Sequence, residues 1–282
     1  MPAAAVSQSL TRTATPRMRA SDAPNRLVED TRWRYLLCAA CEGLLSRDEA
    51  QVARAIFIPM HEERESRFRY GPSFARFAVS VAWRALVVSE REGTVGTLGN
   101  DAVAAAEQTW RDFLLRRRRT PSPHDVHVLP LDVPVQADLD DFSPHLGRFL
   151  LRNISVATQA HGQCGYIVVK MCRLLVFGVV APGNERSAWK GTKLHVDGGS
   201  FGVDRYHAPG WVLALIKKGA QLQQEAVEGL SARQKQLTHD ALMKAIEADP
   251  TGLAESGSVK AFEKDLELFG PAAFQRPADG KD

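Results

Sequence analysis

The spacing of apolar residues changes twice along the chain. From about residue 31 to Arg119 they recur at helical intervals. Tyr35-Leu36-Leu37 is a short apolar run entering the turn Cys38-Ala-Ala-Cys41. Ser46-Arg-Asp-Glu49 has the spacing of a capping box, in which a hydroxyl and a carboxylate three residues apart satisfy each other's backbone N–H groups. It predicts a helix through about Ile58, stopped by Pro59. Pro72-Ser73 predicts the start of a helix to about Arg91, apolar nearly all round and therefore buried at the centre of the fold. The loop 93–100 separates it from a helix over about 101–119, and the prolines between Pro121 and Pro134 predict an extended segment.

After Phe149 the pattern becomes that of strands. Residues 154–158, 166–171 and 173–180 are rich in β-branched side chains, with a turn at 161–165 joining the first two. Residues 193–196 and 203–206 flank Asp197-Gly198-Gly199 and read as a hairpin. Helical spacing then returns over 210–229, from a second capping box at Ser231 to about Ala248, and over 259–268. The expected fold class is α+β: a helical N-terminal half, a central antiparallel sheet and C-terminal helices. The expected organisation is a disordered tail over 1–30, a single domain over 31–270 and a loose tail over 271–282. Within that domain the helical part spans 31–120, the sheet part 150–207 and the last helices 209–268.

Composition adds a charge asymmetry. The chain of 282 residues has a formal net charge of +3. Residues 1–120 hold 19 basic and 14 acidic residues, and every basic one is Arg; the first Lys is Lys170. Arg grips phosphate and carboxylate with two parallel donors, so this half reads either as phosphate-facing or as the product of a coding bias towards Arg and Ala. No run of about 18 apolar residues is present, so no membrane association is expected. Four cysteines in a chain of this length are not a disulfide scaffold, and no apolar leader opens the sequence, which makes the cytoplasm the expected compartment.

Several constellations carry candidate chemistry. Cys38 and Cys41 have the spacing of two corners of a zinc tetrahedron, and His161 and Cys164 offer a distant second pair, together a Cys₃His site. The competing readings are a redox pair and an ordinary hairpin turn. Arg76, Ser80 and Arg84 share one helix face, either as an ion-pair network with the carboxylates of His61-Glu-Glu-Arg-Glu65 or as an Arg-lined cleft for an anion. His61, Glu62 and Glu65 are a further possible metal cluster. Arg116, Arg117, Arg118 and Arg119 close a predicted helix, where they complement its dipole or form a nucleic-acid contact patch. Trp189-Lys-Gly-Thr-Lys193 reads as a turn with an exposed ring or as a contact site. His195, Asp197, Asp204 and His207 fall around the predicted hairpin. Gly93 to Gly99 lies between helices, where a phosphate-binding loop is not expected, and no GxSxG elbow supports a hydrolase triad.

The segment Leu36-Leu-Cys38-Ala-Ala-Cys41-Glu-Gly-Leu-Leu-Ser46-Arg-Asp-Glu49 resembles the second zinc knuckle and helix of HNH-like, treble-clef proteins. More narrowly it resembles a group of bacterial proteins that continue into a helix like Phe77–Arg84, a strand like Ile167–Met171 and a segment like Trp189–Lys193. The resemblance spans about Trp33 to Gln234. It implies a zinc knuckle and, for the nuclease members, a His general base with a divalent cation at the scissile phosphate. Such proteins place a further Cys pair and a metal-binding His upstream, and this chain has no Cys or His before Cys38. The candidates for the missing base are His61 and His161. The leading expectation is a nucleic-acid- or protein-binding protein with a degenerate zinc knuckle. The alternatives are an HNH-like metal-dependent nuclease and a non-catalytic assembly protein.

Overall fold

The computed structural model describes residues 18–19, 25, 27–28, 36–63, 66–132, 141–202 and 206–274. In chain order its elements are β1 (Met18–Arg19), β2 (Leu27–Val28), α1 (Ala39–Val52), β3 (Arg67–Tyr70), α2 (Pro72–Arg91), α3 (Asn100–Leu114), β4 (Val126–Pro130), α4 (Leu146–Arg152), β5 (Ile154–His161), β6 (Cys164–Met171), β7 (Leu174–Ala181), β8 (Gly199–Gly202), α5 (Gly210–Glu228), α6 (Ala232–Ala248), α7 (Pro250–Ala254) and α8 (Gly257–Phe269). The fold is α+β, with helices at both ends and antiparallel strands between. No helix among the described residues is long and apolar enough to cross a membrane. The chain divides into two compact units. One comprises residues 35–131 and 154–209, the other residues 3–34, 132–153 and 210–282, so the expected domain over 31–270 spans parts of both.

The first unit is built on an antiparallel sheet of order β4-β7-β6-β5. β6 and β7 are its central strands and are buried almost throughout, as their continuous apolar runs require. Ile154 pairs with Met171 and His161 with Cys164, so the turn is only Gly162 and Gln163, shorter than the sequence pattern indicates. Gly162 takes the left-handed φ of 56° that this tight connection demands. α2 and α3 cover one face of the sheet. A side chain at Gly178 of β7 would lie 2.6 Å from the Trp110 ring and 2.9 Å from Ala82 Cβ, so the glycine sets how closely these helices approach. α2 begins at Pro72, as predicted, and Phe74, Phe77, Ala78, Ala82 and Leu86 are all buried. Trp189 is buried too, against Phe177 (5.1 Å between centroids) and Tyr166 (5.8 Å). The exposed ring considered from sequence is thus part of the core.

Three predicted boundaries differ. α1 starts at Ala39, with Cys38 as its N-cap, rather than at Ser46. Ser46 sits inside the helix, and its hydroxyl donates back to the Gly43 carbonyl (3.2 Å), a local bond that competes with capping. The helix runs on through two wider turns, Ala53–Phe57 and Pro59–Glu63, so Pro59 does not end helical structure. The predicted hairpin about Asp197 is replaced by another pairing. β8 pairs with β3, Arg67 opposite Gly202 and Tyr70 opposite Gly199, and Lys193 bridges to His127 of β4. Residues 203–205 lie outside the described residues.

In the second unit α4 packs against α5 and α8. Asp265 of α8 is fully buried and accepts from the N–H groups of Gly147 and Arg148 at the start of α4, with the Arg148 guanidinium 3.5 Å away. Burial raises its carboxyl to about 6, against the lowering effect of those donors. Ser231 and Ser256 cap α6 and α8 by accepting from the backbone three residues on. Of the expected tail 1–30, β1 and β2 pair with each other, and most of the rest lies outside the described residues, as do residues 275–282.

Candidate functional site

Arg76 and Arg84 project from α2 towards α1. Arg76 grips Asp48 with two bonds, 2.8 and 2.6 Å, and Arg84 meets Glu49 at 2.7 Å and Glu42 at 3.4 Å. The ion-pair reading of this face therefore describes the geometry, with α1 supplying the carboxylates seen among the described residues. Glu42 and Glu49 are seven residues apart and share a helix face, which lets both reach one guanidinium. Arg84 is only 8% exposed, so its guanidinium does not line an open cleft. Ser80, between them, is buried with no hydrogen-bond partner for its hydroxyl among the described residues.

His61 is committed to structure. Its Nδ1–H donates to the Phe57 carbonyl (2.7 Å), and its Nε2 accepts the backbone N–H of Arg173 (3.0 Å). The ring stacks on Phe57 at 4.1 Å. Both nitrogens are thus engaged by the neutral ring, and burial pushes its pKa down to about 4, with Arg173 and Lys170 adding to the depression. Arg173 also donates to the carbonyls of Met60 and Leu131, which ties the turn before β3 to the β6–β7 turn. A general base needs a nitrogen able to take a proton, and His61 offers none. Glu65 and the side chain of Glu62 lie outside the described residues.

Arg116 to Arg119 follow the last turn of α3 instead of continuing it. The Arg117 N–H donates to the Asp112 carbonyl (2.8 Å) and the Arg116 N–H to Phe113 (3.0 Å), the paired bonds of a Schellman ending. Arg116 holds its left-handed position at φ 59°, where glycine is the usual residue. All four side chains are exposed. The only carboxylate near them among the described residues is Asp112, 3.7 Å from Arg117. Arg118 donates to the carbonyls of Thr120 (3.0 Å) and Ser122 (2.5 Å), which fixes it against the loop before β4. That loop contributes Pro123 to an open groove of about 590 Å³, whose other walls are Gln163, Pro182, Gly183, Asn184 and Ser187.

His161 and Cys164 sit at the turn that supplies Gln163. His161 is exposed, and its Nδ1 meets a carboxylate oxygen of Glu185. The other oxygen of Glu185 accepts from the Tyr166 hydroxyl (2.9 Å), which in turn receives the Trp189 indole N–H (3.3 Å). Burial raises the Tyr166 hydroxyl, which keeps it protonated as a donor. Cys164 is buried beneath Gly183, where a Cβ would come within 2.5 Å of its sulfur. Nothing in the sequence marks Glu185, because it lies in a short segment with no periodicity to show which way it points. Of the polar residues around the predicted hairpin, the His195 N–H is held by the Tyr70 hydroxyl (3.1 Å), His207 pairs through its backbone with Lys190, and Asp204 lies outside the described residues.

Cys38 and Cys41 stand at the start of α1, the first exposed and the second half-buried. The neighbouring Cys41 lowers the pKa of Cys38, and Cys38 raises that of Cys41. Among the described residues no three His, Cys, Asp or Glu side chains come together in a group able to hold a metal ion. Cys38 and Cys41 stand at the start of α1, and His161 and Cys164 at the β5–β6 turn. No protein-family model, curated protein or solved structure matches this chain.

Proposed function

We propose that the chain binds a polyanion, in the first place nucleic acid, through Arg116, Arg117, Arg118 and Arg119. The observation behind this reading is the contrast between two sets of arginines. Arg76 and Arg84 are neutralised by carboxylates at 2.6–2.8 Å, whereas the four after α3 are exposed and, among the described residues, meet only Asp112, at 3.7 Å from Arg117. One of them occupies a left-handed site at φ 59° that glycine would fill with less strain. Backbone strain retained for a charged residue supports a use for that charge beyond capping the helix dipole. The adjoining groove, with the side chains of Gln163, Asn184 and Ser187, supplies hydrogen-bonding groups of the kind that meet sugars and base edges. An acidic protein surface would engage the same guanidinium groups but would make less use of that groove. Titration of the chain into labelled single-stranded and duplex oligonucleotides tests the proposal. Replacing the four arginines with serine is expected to lower affinity at least about tenfold for every sequence tested, the mark of phosphate contacts. Equal affinity in the variant overturns it.

A second reading is favoured by the pairing of His161 with Glu185. A carboxylate on Nδ1 orients an imidazole and fixes its tautomer, as a hydrolytic general base requires. In this reading the chain cleaves the bound phosphodiester. Cleavage that requires a divalent cation and is lost in His161→Ala supports it, and bound but intact oligonucleotide rejects it.

A further inference from the structure

We propose that Cys38 and Cys41 form a redox-active dithiol that undergoes exchange with low-molecular-weight disulfides, Cys38 attacking and Cys41 resolving. The inference is independent of polyanion binding and rests on how α1 begins. Cys38 is the N-cap, with extended backbone (φ −75°, ψ 163°), and Cys41 lies in the first turn. Residues three apart on one helical turn have Cα atoms about 5 Å apart, inside the range a disulfide spans. The N-cap and the first turn place both residues on one end of the helix, so closing the bond asks for little movement of the backbone. Their exposure differs in the sense the chemistry needs, the attacking sulfur outermost and the resolving sulfur half-buried. Glu42, the acid nearest in sequence, is drawn towards Arg84 at 3.4 Å, which tempers its repulsion of a thiolate at Cys38. Cys164 and Cys172 are buried, 4% and 3% exposed, and stand apart from this chemistry.

The exchange balances in two steps. The Cys38 thiolate attacks one sulfur of glutathione disulfide. The disulfide's S–S bond breaks, one glutathione thiolate leaves and takes up a proton, and Cys38 carries a mixed disulfide. Cys41 then gives its proton to solvent and attacks Cys38 Sγ, expelling the second glutathione thiolate, which is protonated in turn. Two protein thiols have been oxidised to one disulfide and one external disulfide has been reduced to two thiols.

The test is equilibration of the full chain in glutathione redox buffers, followed by alkylation and mass spectrometry. The expected product has lost two hydrogens and has its new bond mapped to Cys38–Cys41. Cys41→Ser is expected to accumulate glutathione on Cys38, and Cys38→Ser to react at least about tenfold more slowly. Circular dichroism confirms that both variants remain folded. Equal rates in the two variants, or glutathione adducts on the native chain without an internal disulfide, overturn the proposal. So does zinc held by the pair in the isolated protein, released on thiol alkylation, because ligated thiolates would then be the resting state.

Discussion

The neutral state of His61 gives a quantitative prediction. With a pKa near 4 in the folded chain and an ordinary value of 6.5 when unfolded, the ring binds its proton more tightly in the unfolded state. Its contribution to stability is therefore complete above about pH 6.5 and is lost as pH falls towards 4. By pH 4.5 the native state has lost about 2.5 kcal/mol from this group alone, following from 1.36 kcal/mol per pKa unit. Protonation puts a hydrogen on Nε2, opposite the Arg173 N–H that it accepts at 3.0 Å. Removing the ring in His61→Ala orphans that N–H and the Phe57 carbonyl and is expected to cost about 2–4 kcal/mol at pH 7. The assay is urea unfolding of both proteins at pH 7.0, 5.5 and 4.5, followed by tryptophan fluorescence, to which Trp83, Trp110 and Trp189 of the first unit contribute. His127 and His145 are depressed to about 4 by burial and act in the same direction, whereas Asp265, raised to about 6, gains stability as pH falls. Those contributions are common to both proteins and cancel in the difference. The gap between native and variant should narrow by about 2 kcal/mol between pH 7 and 4.5. A gap that stays constant, or widens in acid, would refute the assignment of His61 as a neutral structural group.

Three further outcomes follow from the packing. Arg84→Ala leaves Glu49 part-buried without its partner at 2.7 Å and should destabilise by about 3 kcal/mol in thermal unfolding, while Arg84→Ala with Glu49→Gln recovers part of that loss in a double-mutant cycle. Ser80→Ala removes a buried hydroxyl that has no partner among the described residues and should leave Tm unchanged or raise it, by up to about 1 kcal/mol in stability; a marked loss would reveal a partner for that hydroxyl. Arg116→Gly relieves the left-handed backbone and should stabilise by about 1 kcal/mol while weakening oligonucleotide binding, opposite signs in two assays that a purely structural role for Arg116 would not produce.

What the sequence makes legible is set by which interactions are local. Strands β5, β6 and β7 and the buried helix after Pro72 were legible because their apolar and β-branched runs are long, whereas β4 lies in a proline-broken segment that reads only as extended. The capping box at Ser46 misled because its four residues are equally at home inside a helix, where the hydroxyl bonds back to Gly43. The pairing of β8 with β3 was not legible, since a hairpin about Asp197-Gly198-Gly199 satisfies the same local pattern and only tertiary packing chooses a partner 130 residues away in the chain (Arg67 to Gly202 spans roughly that distance). At the candidate site, the Arg run was visible from its composition. Its separation from Arg76 and Arg84 in role was not, because the neutralising carboxylates, Asp48 and Glu49, lie on another helix. Glu185 could not be matched to His161 for the same reason: their 24-residue separation crosses two strands whose register is set by the sheet.

The measurement that bears most directly on the central claim is the salt dependence of oligonucleotide binding. Each phosphate neutralised contributes about 0.7–0.9 to the slope of log K against log salt concentration, so four arginine contacts amount to a slope of about −3. The account predicts that serine at positions 116–119 reduces the magnitude of the native slope by about 3 while thermal stability is retained. A native slope near zero, or a slope that the four substitutions leave unchanged, would contradict it.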